Sequence, residues 1–122
     1  MIADLPSPRL AAAVEAALAK SAGNVVVLDL REMGAFTGHF LVCTGWSTPQ
    51  IQAIADEIDR RMMDEGLRRA HREGYDKAEW VLLDYGEFVV HIFNDEARLY
   101  FDLERLWRAA RRIEIADEMA AG

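Results

Sequence analysis

Two runs near the end of the chain constrain the fold most: Trp80-Val81-Leu82-Leu83-Asp84 and Phe88-Val89-Val90-His91-Ile92-Phe93. They are rich in β-branched and aromatic residues and only Tyr85-Gly86-Glu87 separates them, so the segment reads as a tight β-hairpin. Neither run alternates cleanly between apolar and polar. Apolar side chains therefore point to both faces, and a sheet containing these strands must hide both. The chain's own helices can cover one face. The other is a candidate surface for a partner.

The hairpin has two plausible registers. A two-residue turn at Tyr85-Gly86 pairs Trp80 with His91 and puts Trp80, Leu82, Val89, His91 and Phe93 on one face, but it demands a positive φ at Tyr85. A three-residue turn, Asp84-Tyr85-Gly86, confines the positive φ to Gly86. It groups Trp80 and Leu82 with Phe88, Val90 and Ile92. Sterics favour the second.

The rest of the chain supplies helices and further strands. Pro8 to Ser21 carries Leu10, Val14, Ala17 and Leu18 at helical spacing, with Ser7 as N-cap, Pro8 at the first helical position and Gly23 as the stop. Val25 to Leu30 is apolar except for Asp29, as suits a strand buried on both faces. His39 to Thr44 reads as a second strand. Ser47 and Gln50 form a capping-box pattern ahead of a helix that buries Ile51, Ile54, Ala55, Ile58 and Met62 and turns Gln52, Asp56, Asp59, Arg60 and Asp64 outward. Gly66 ends it. A short edge strand is expected within Leu67 to Arg72, and a turn at Gly74 to Lys77. After the hairpin, one helix is expected from Asn94 or Asp95 to about Arg112, burying Leu99, Leu103, Leu106, Trp107 and Ala110. Arg105, Arg108, Arg111 and Arg112 would then complement its C-terminal dipole.

This order predicts an α/β (α+β) single domain with a mixed sheet of about five strands flanked by helices. The domain is expected to span residues 1–122, with a core over about 10–110 and an acidic C-terminal tail at 113–122. At 122 residues the chain suits one core. The N-terminus has no pattern of a secretory signal, and no apolar run reaches the roughly 20 residues that span a bilayer. The single cysteine excludes an internal disulfide and is compatible with a reducing compartment. A soluble cytoplasmic protein with no membrane partner is expected.

The formal charge is −7. Such a chain gains little from a phosphate backbone, so direct nucleic-acid binding is not expected as the dominant source of affinity. Basic proteins are the better match. Near the hairpin turn, Trp80, Asp84, Tyr85 and Glu87 join aromatic area to acidic charge, which is how a surface recognises such a partner.

Catalytic and metal-binding patterns are weak. Gly45-Trp46-Ser47 lies between a strand and a helix, where phosphate can bind, and a Gly-x-Ser turn begins the nucleotidyltransferase signature. That signature continues with alternating carboxylates on a strand. Here Asp56, Glu57 and Asp59 fall on a helix. His39 and Cys43 share a strand face about 13 Å apart, too far for one metal. His71 and Glu73 stand alone. Ser47 is accounted for as a cap, His91 as a sheet histidine, and Cys43 has no evident base. No P-loop or dinucleotide fingerprint occurs. No enzyme activity, cofactor or metal is expected.

The chain resembles the ribosomal silencing factor family, also called Iojap-like. The resemblance rests on Val26-Val27-Leu28-Asp29-Leu30, on Phe40-Leu41-Val42-Cys43-Thr44-Gly45 with Ser47, and on Gln52-Ala53-Ile54-Ala55-Asp56. It continues through Glu73-Gly74, Trp80-Val81-Leu82-Leu83-Asp84-Tyr85-Gly86, Val90-His91-Ile92-Phe93 and Leu103-Glu104-Arg105-Leu106-Trp107. Together these runs cover about Leu10 to Ala110. Gly38 stands where the family usually has an acidic residue, and Trp46, Pro49 and Phe101 are also departures.

The resemblance implies a nucleotidyltransferase-like fold without the catalytic carboxylates. It also implies binding to the large ribosomal subunit through ribosomal protein fourteen, with a steric block to subunit joining that represses translation in starvation, and a tendency to homodimerise. The partner surface expected from these readings comprises Trp80, Leu82, Asp84, Tyr85, Glu87 and His91. The alternatives are a nucleotidyltransferase-like nucleotide-binding protein and a ribosome-assembly adaptor.

Overall fold

A computed structural model describes residues 5–115. A six-stranded mixed sheet organises it, in the order β3-β4-β5-β2-β1-β6. The strands are β1 (Gly23–Asp29), β2 (His39–Thr44), β3 (His71–Glu73), β4 (Trp80–Asp84), β5 (Phe88–Phe93) and β6 (Arg111–Glu114). The helices are α1 (Pro8–Ala19), α2 (Thr48–Asp64), α3 (Asp95–Phe101) and α4 (Leu103–Leu106). β2 and β5 run parallel at the centre, and every other neighbouring pair is antiparallel. Both central strands are buried along their whole length, which explains why apolar residues dominate both, with only His39, Thr44 and His91 polar.

One face of the sheet carries α1 and α2. Leu10, Ala13, Val14 and Ala17 of α1 and Ile51, Ile54, Ile58 and Met62 of α2 pack on Val27, Leu41, Cys43, Val81, Leu83, Val90 and Ile92. Both helices begin as their sequences dictate. Ser7 Oγ accepts from the Leu10 N–H at 3.3 Å, and Ser47 Oγ accepts from the Gln50 N–H at 3.1 Å. The Gln50 carboxamide departs from a capping box. It accepts the Trp46 N–H at 2.7 Å and donates to the carbonyls of Lys20 and Ser21, tying the end of α1 to the start of α2. Helix α1 also stops earlier than Gly23. Ser21 takes the left-handed conformation, with φ 63°, and Gly23 already opens β1.

The hairpin register differs from both sequence-based alternatives. Trp80 pairs with Phe93, Leu82 with His91 and Asp84 with Val89. Tyr85 N–H then donates to Phe88 O at 3.0 Å, leaving Gly86-Glu87 as a two-residue turn. Gly86 has φ 82°, and Glu87 stays at negative φ. The favoured three-residue turn is thereby corrected. Placing glycine first in a two-residue turn satisfies the same steric demand without an extra loop residue. Relative to the Tyr85-Gly86 alternative the pairing is shifted by two residues, which preserves parity, so Trp80 and Leu82 share a face with Val89, His91 and Phe93.

The expected edge strand occurs as β3, lying slightly later than Leu67 to Arg72. The single C-terminal helix does not occur. Asp102 adopts φ 47° and ψ 57° and breaks it into α3 and α4. Leu99 and Leu106, expected inside, are 76% and 73% exposed, whereas Leu103 and Ala110 are buried. The break allows Leu103, Trp107 and Ala110 to fold onto the second sheet face with Val26, Leu28, Phe40 and Val42. The chain can then return as β6, which pairs with the open edge of β1 and makes the sheet six-stranded. Arg111 and Arg112 therefore stand on a strand, not at a helix terminus. Residues 116–122 of the expected acidic tail lie outside the described residues.

Candidate functional site

The second sheet face is only partly covered. On β4 the alternation aims Trp80, Leu82 and Asp84 at it, and on β5 it aims Val89, His91 and Phe93 there. His71 and Glu73 of β3 pair with Asp84 and Leu82 and share that side. The α3–α4 segment covers the far half of the face, leaving Trp80 and Leu82 half-buried.

The centre of this face is a network of rings. Trp80 Nε1–H donates to His91 Nδ1 at 3.0 Å. Because indole nitrogen can only donate, Nδ1 is the unprotonated nitrogen and the imidazole is neutral with its proton on Nε2. Burial supports this state by pushing the His91 pKa down to about 4. Phe40 meets the His91 ring edge-on at 4.5 Å, and Trp107 meets Phe40 at 5.6 Å. Trp80 packs on Phe93 at 5.0 Å and on Phe101 at 4.6 Å. Phe36, 77% exposed in the β1–β2 loop, extends the network past Phe40. The outcome is an aromatic surface with Trp80 and Leu82 accessible and an acidic rim at Asp84 and Glu73.

Not every residue expected at this surface lies on it. Trp80, Leu82, Asp84 and His91 come together. His91 is only 4% exposed, so it supports the Trp80 ring from below and offers little contact area of its own. Tyr85 points to the opposite face. It is buried against Phe88, and its hydroxyl donates to Asp59 Oδ1 at 2.9 Å. Burial and that carboxylate hold the phenol above its ordinary pKa. Glu87 sits at the turn, 3.3 Å from Arg9 of α1. Asp84 both faces the aromatic surface and braces the turn, accepting the Gly86 N–H at 2.8 Å.

Phe36, Phe40 and Phe101 belong to the surface but were not singled out in the sequence. Phe40 had a signal, since it sits on β2 at the parity opposite Leu41 and Cys43. Phe36 and Phe101 had none, because their placement depends on a loop and on the break at Asp102.

The carboxylates of α2 are structurally engaged. Asp56 accepts the Tyr75 hydroxyl at 2.9 Å, and Asp59 holds Tyr85 and Arg69. Glu57 is clamped by Arg60 and Arg61, whose hydrogen bonds pull its pKa down to about 2. Cys43 is buried, which pushes its thiol up to about 12 and leaves it unreactive at neutral pH. His71 Nε2 lies 3.0 Å from Glu73 Oε1 on the exposed edge strand. Among the described residues no three His, Cys, Asp or Glu side chains gather as a metal site.

The chain is similar in sequence and fold to known proteins. Residues 4–121 match the family described as ribosomal silencing factor during starvation. A ribosomal silencing factor of Halalkalibacterium halodurans is 40% identical over 103 residues, covering 84% of this chain and 88% of the relative. A crystal structure of a Chromobacterium violaceum protein superposes with a TM-score of 0.79 at 30% identity, over 81% of this chain and 82% of that one. A Bacillus halodurans crystal structure gives 0.76 at 39% identity, over 87% and 96%. The chain belongs to the family of ribosomal silencing factors.

Proposed function

We propose that this protein represses translation by docking on the large ribosomal subunit and blocking, by its bulk, the joining of the small subunit. The docking partner is the basic large-subunit ribosomal protein fourteen. The observation that carries this reading is the incompletely covered second sheet face, with Trp80 and Leu82 accessible over a buried aromatic floor and Asp84 and Glu73 at the rim. Aromatic area supplies affinity when desolvated, and the acidic rim speeds encounter with a basic partner. The net charge of −7 acts in the same direction.

The reading is non-enzymatic. The α2 carboxylates Asp56, Glu57 and Asp59 are occupied by tyrosine and arginine partners, which speaks against the alternative of a nucleotidyltransferase-like protein holding a metal on them. Among the described residues no helix is long and apolar enough to cross a membrane, and the cytoplasm is the compartment proposed. A homodimer formed through the same aromatic surface would compete with docking, because both need Trp80 and Leu82 covered.

The test is sedimentation of the pure protein with purified large subunits, with and without small subunits. Co-sedimentation with large subunits, together with fewer joined ribosomes, is the expected result. Binding that leaves subunit joining unaffected would favour the assembly-adaptor role.

A further inference from the structure

Charge is distributed unevenly along this chain. Between Arg98 and Arg112 there are five arginines and two carboxylates, inside a protein whose net charge is −7. Two of these arginines are committed. Arg98 is buried, donating to Thr44 Oγ1 at 2.9 Å and pairing with Glu104 at 2.8 Å, and Arg112 lies between Glu104 and Glu114. Arg105, Arg108 and Arg111 are exposed and have no carboxylate partner among the described residues.

Arg105 and Arg108 line an open cleft of about 690 Å³ together with Tyr100 and Leu106. Tyr100 is 82% exposed, and Phe101 braces its ring at 5.0 Å in an edge-on contact. Asp102 also lines the cleft, so an anion is better placed at the arginine rim than at that carboxylate. This cleft results from the break at Asp102. A continuous helix would have turned Leu106 inward and carried Arg111 away from a strand.

We infer that this cleft binds a single-stranded segment of RNA. Arg105 and Arg108 neutralise successive phosphates, and an unpaired base stacks on Tyr100. A free aromatic face selects for a single strand, because bases in a duplex are already stacked. The local excess of arginine sets this surface apart from the acidic remainder of the molecule, so the contact is a local one within a protein that does not bind nucleic acid as a whole. The inference does not rest on docking through Trp80 and Leu82.

The test is fluorescence anisotropy of the full chain with a labelled twelve-nucleotide oligouridine, titrated at several salt concentrations without ribosomes. Saturable binding at low salt is expected. The double variant Arg105→Ala/Arg108→Ala should weaken it at least tenfold and reduce the slope of log affinity against log salt by roughly 1. Tyr100→Ala should weaken it about tenfold with the slope unchanged. Arg68→Ala, on an exposed arginine elsewhere, should have no effect. Circular dichroism should show all variants folded.

Absence of saturable binding by the parent, or parent-like binding by the double variant, would overturn the inference. So would anionic phospholipid vesicles or a polyglutamate peptide binding the parent as tightly as oligouridine, with the same loss in the double variant. That result would identify a general anion surface. Because no ribosome is present, failure here is separate from failure of large-subunit docking.

Discussion

At the residue scale, Trp80 does two things that truncation would confound. Its ring is accessible surface, and its indole N–H satisfies the buried Nδ1 of His91. Trp80→Phe separates the roles, keeping the stacking area against Phe93 and Phe101 while leaving His91 Nδ1 without a donor. The variant should lose about 1–2 kcal/mol of stability in urea denaturation. A parent-like midpoint would mean that the hydrogen bond contributes nothing net.

His91 also sets a pH dependence. Unfolded, its imidazole takes a proton near the ordinary histidine value of 6.5, whereas folded it does so only near 4. Between those values the unfolded state holds more protons, so stability is fully present above pH 6.5 and falls as pH drops towards 4. The total is about 3 kcal/mol by linkage. Urea denaturation at pH 4.5 and 6.5 measures it, and His91→Leu should flatten the slope whatever its effect on absolute stability. The lowered carboxylates Asp29 and Glu57, both near 2, act in a different window, since their stabilisation fades only below about pH 4.

At the scale of elements, turns and caps decide which surface the strands present. Ser47→Ala removes the acceptor for the Gln50 N–H and should cost about 1 kcal/mol, read as a lower thermal midpoint. Gly74 is more demanding. It has φ 77°, and a Cβ there would run into the Trp80 carbonyl. Gly74→Ala should therefore cost about 2 kcal/mol or more, against about 1 kcal/mol for Gly34→Ala, which shares the positive φ but has open space around it. Equal costs at both positions would show that the collision is relieved by a small shift of the β3–β4 turn.

The same elements show what a sequence discloses. The five buried residues of α2 follow from 3.6-residue periodicity and sit where it places them. The central strands follow from largely apolar runs. The hairpin register did not, because Gly86 can take its positive φ in more than one turn, and the observed Gly86-Glu87 turn is neither of the two weighed from the sequence. The C-terminal helix was misjudged for a related reason. Leu99, Leu103 and Leu106 are spaced as well for one helix as for two short ones, and what breaks it is the gain from pairing β6 with the β1 edge. Of the candidate surface, the common face of Trp80, Leu82 and Asp84 was legible from strand alternation, whereas His91 joins it only through a register that steric reasoning did not favour. Tyr85 was not legible as a core residue, because its role depends on Asp59, 26 positions away in the chain.

At the scale of the whole molecule, a small sheet with two apolar faces is covered unequally. The helices α1 and α2 cover the centre of one side. The C-terminal segment seals half of the other and leaves aromatic area beside acidic side chains. That imbalance is the physical basis for a docking protein, and it places the proposed subunit contact and the arginine cleft side by side, with Phe101 bordering both. Sedimentation of purified large subunits with folded Leu82→Glu protein, beside the parent and a Tyr85→Phe control, tests the account most directly. The account predicts that the parent and the control co-sediment alike, while a charge at Leu82 weakens binding by about 2 kcal/mol or more. Leu82→Glu protein that stays folded and sediments with large subunits as tightly as the parent would contradict it.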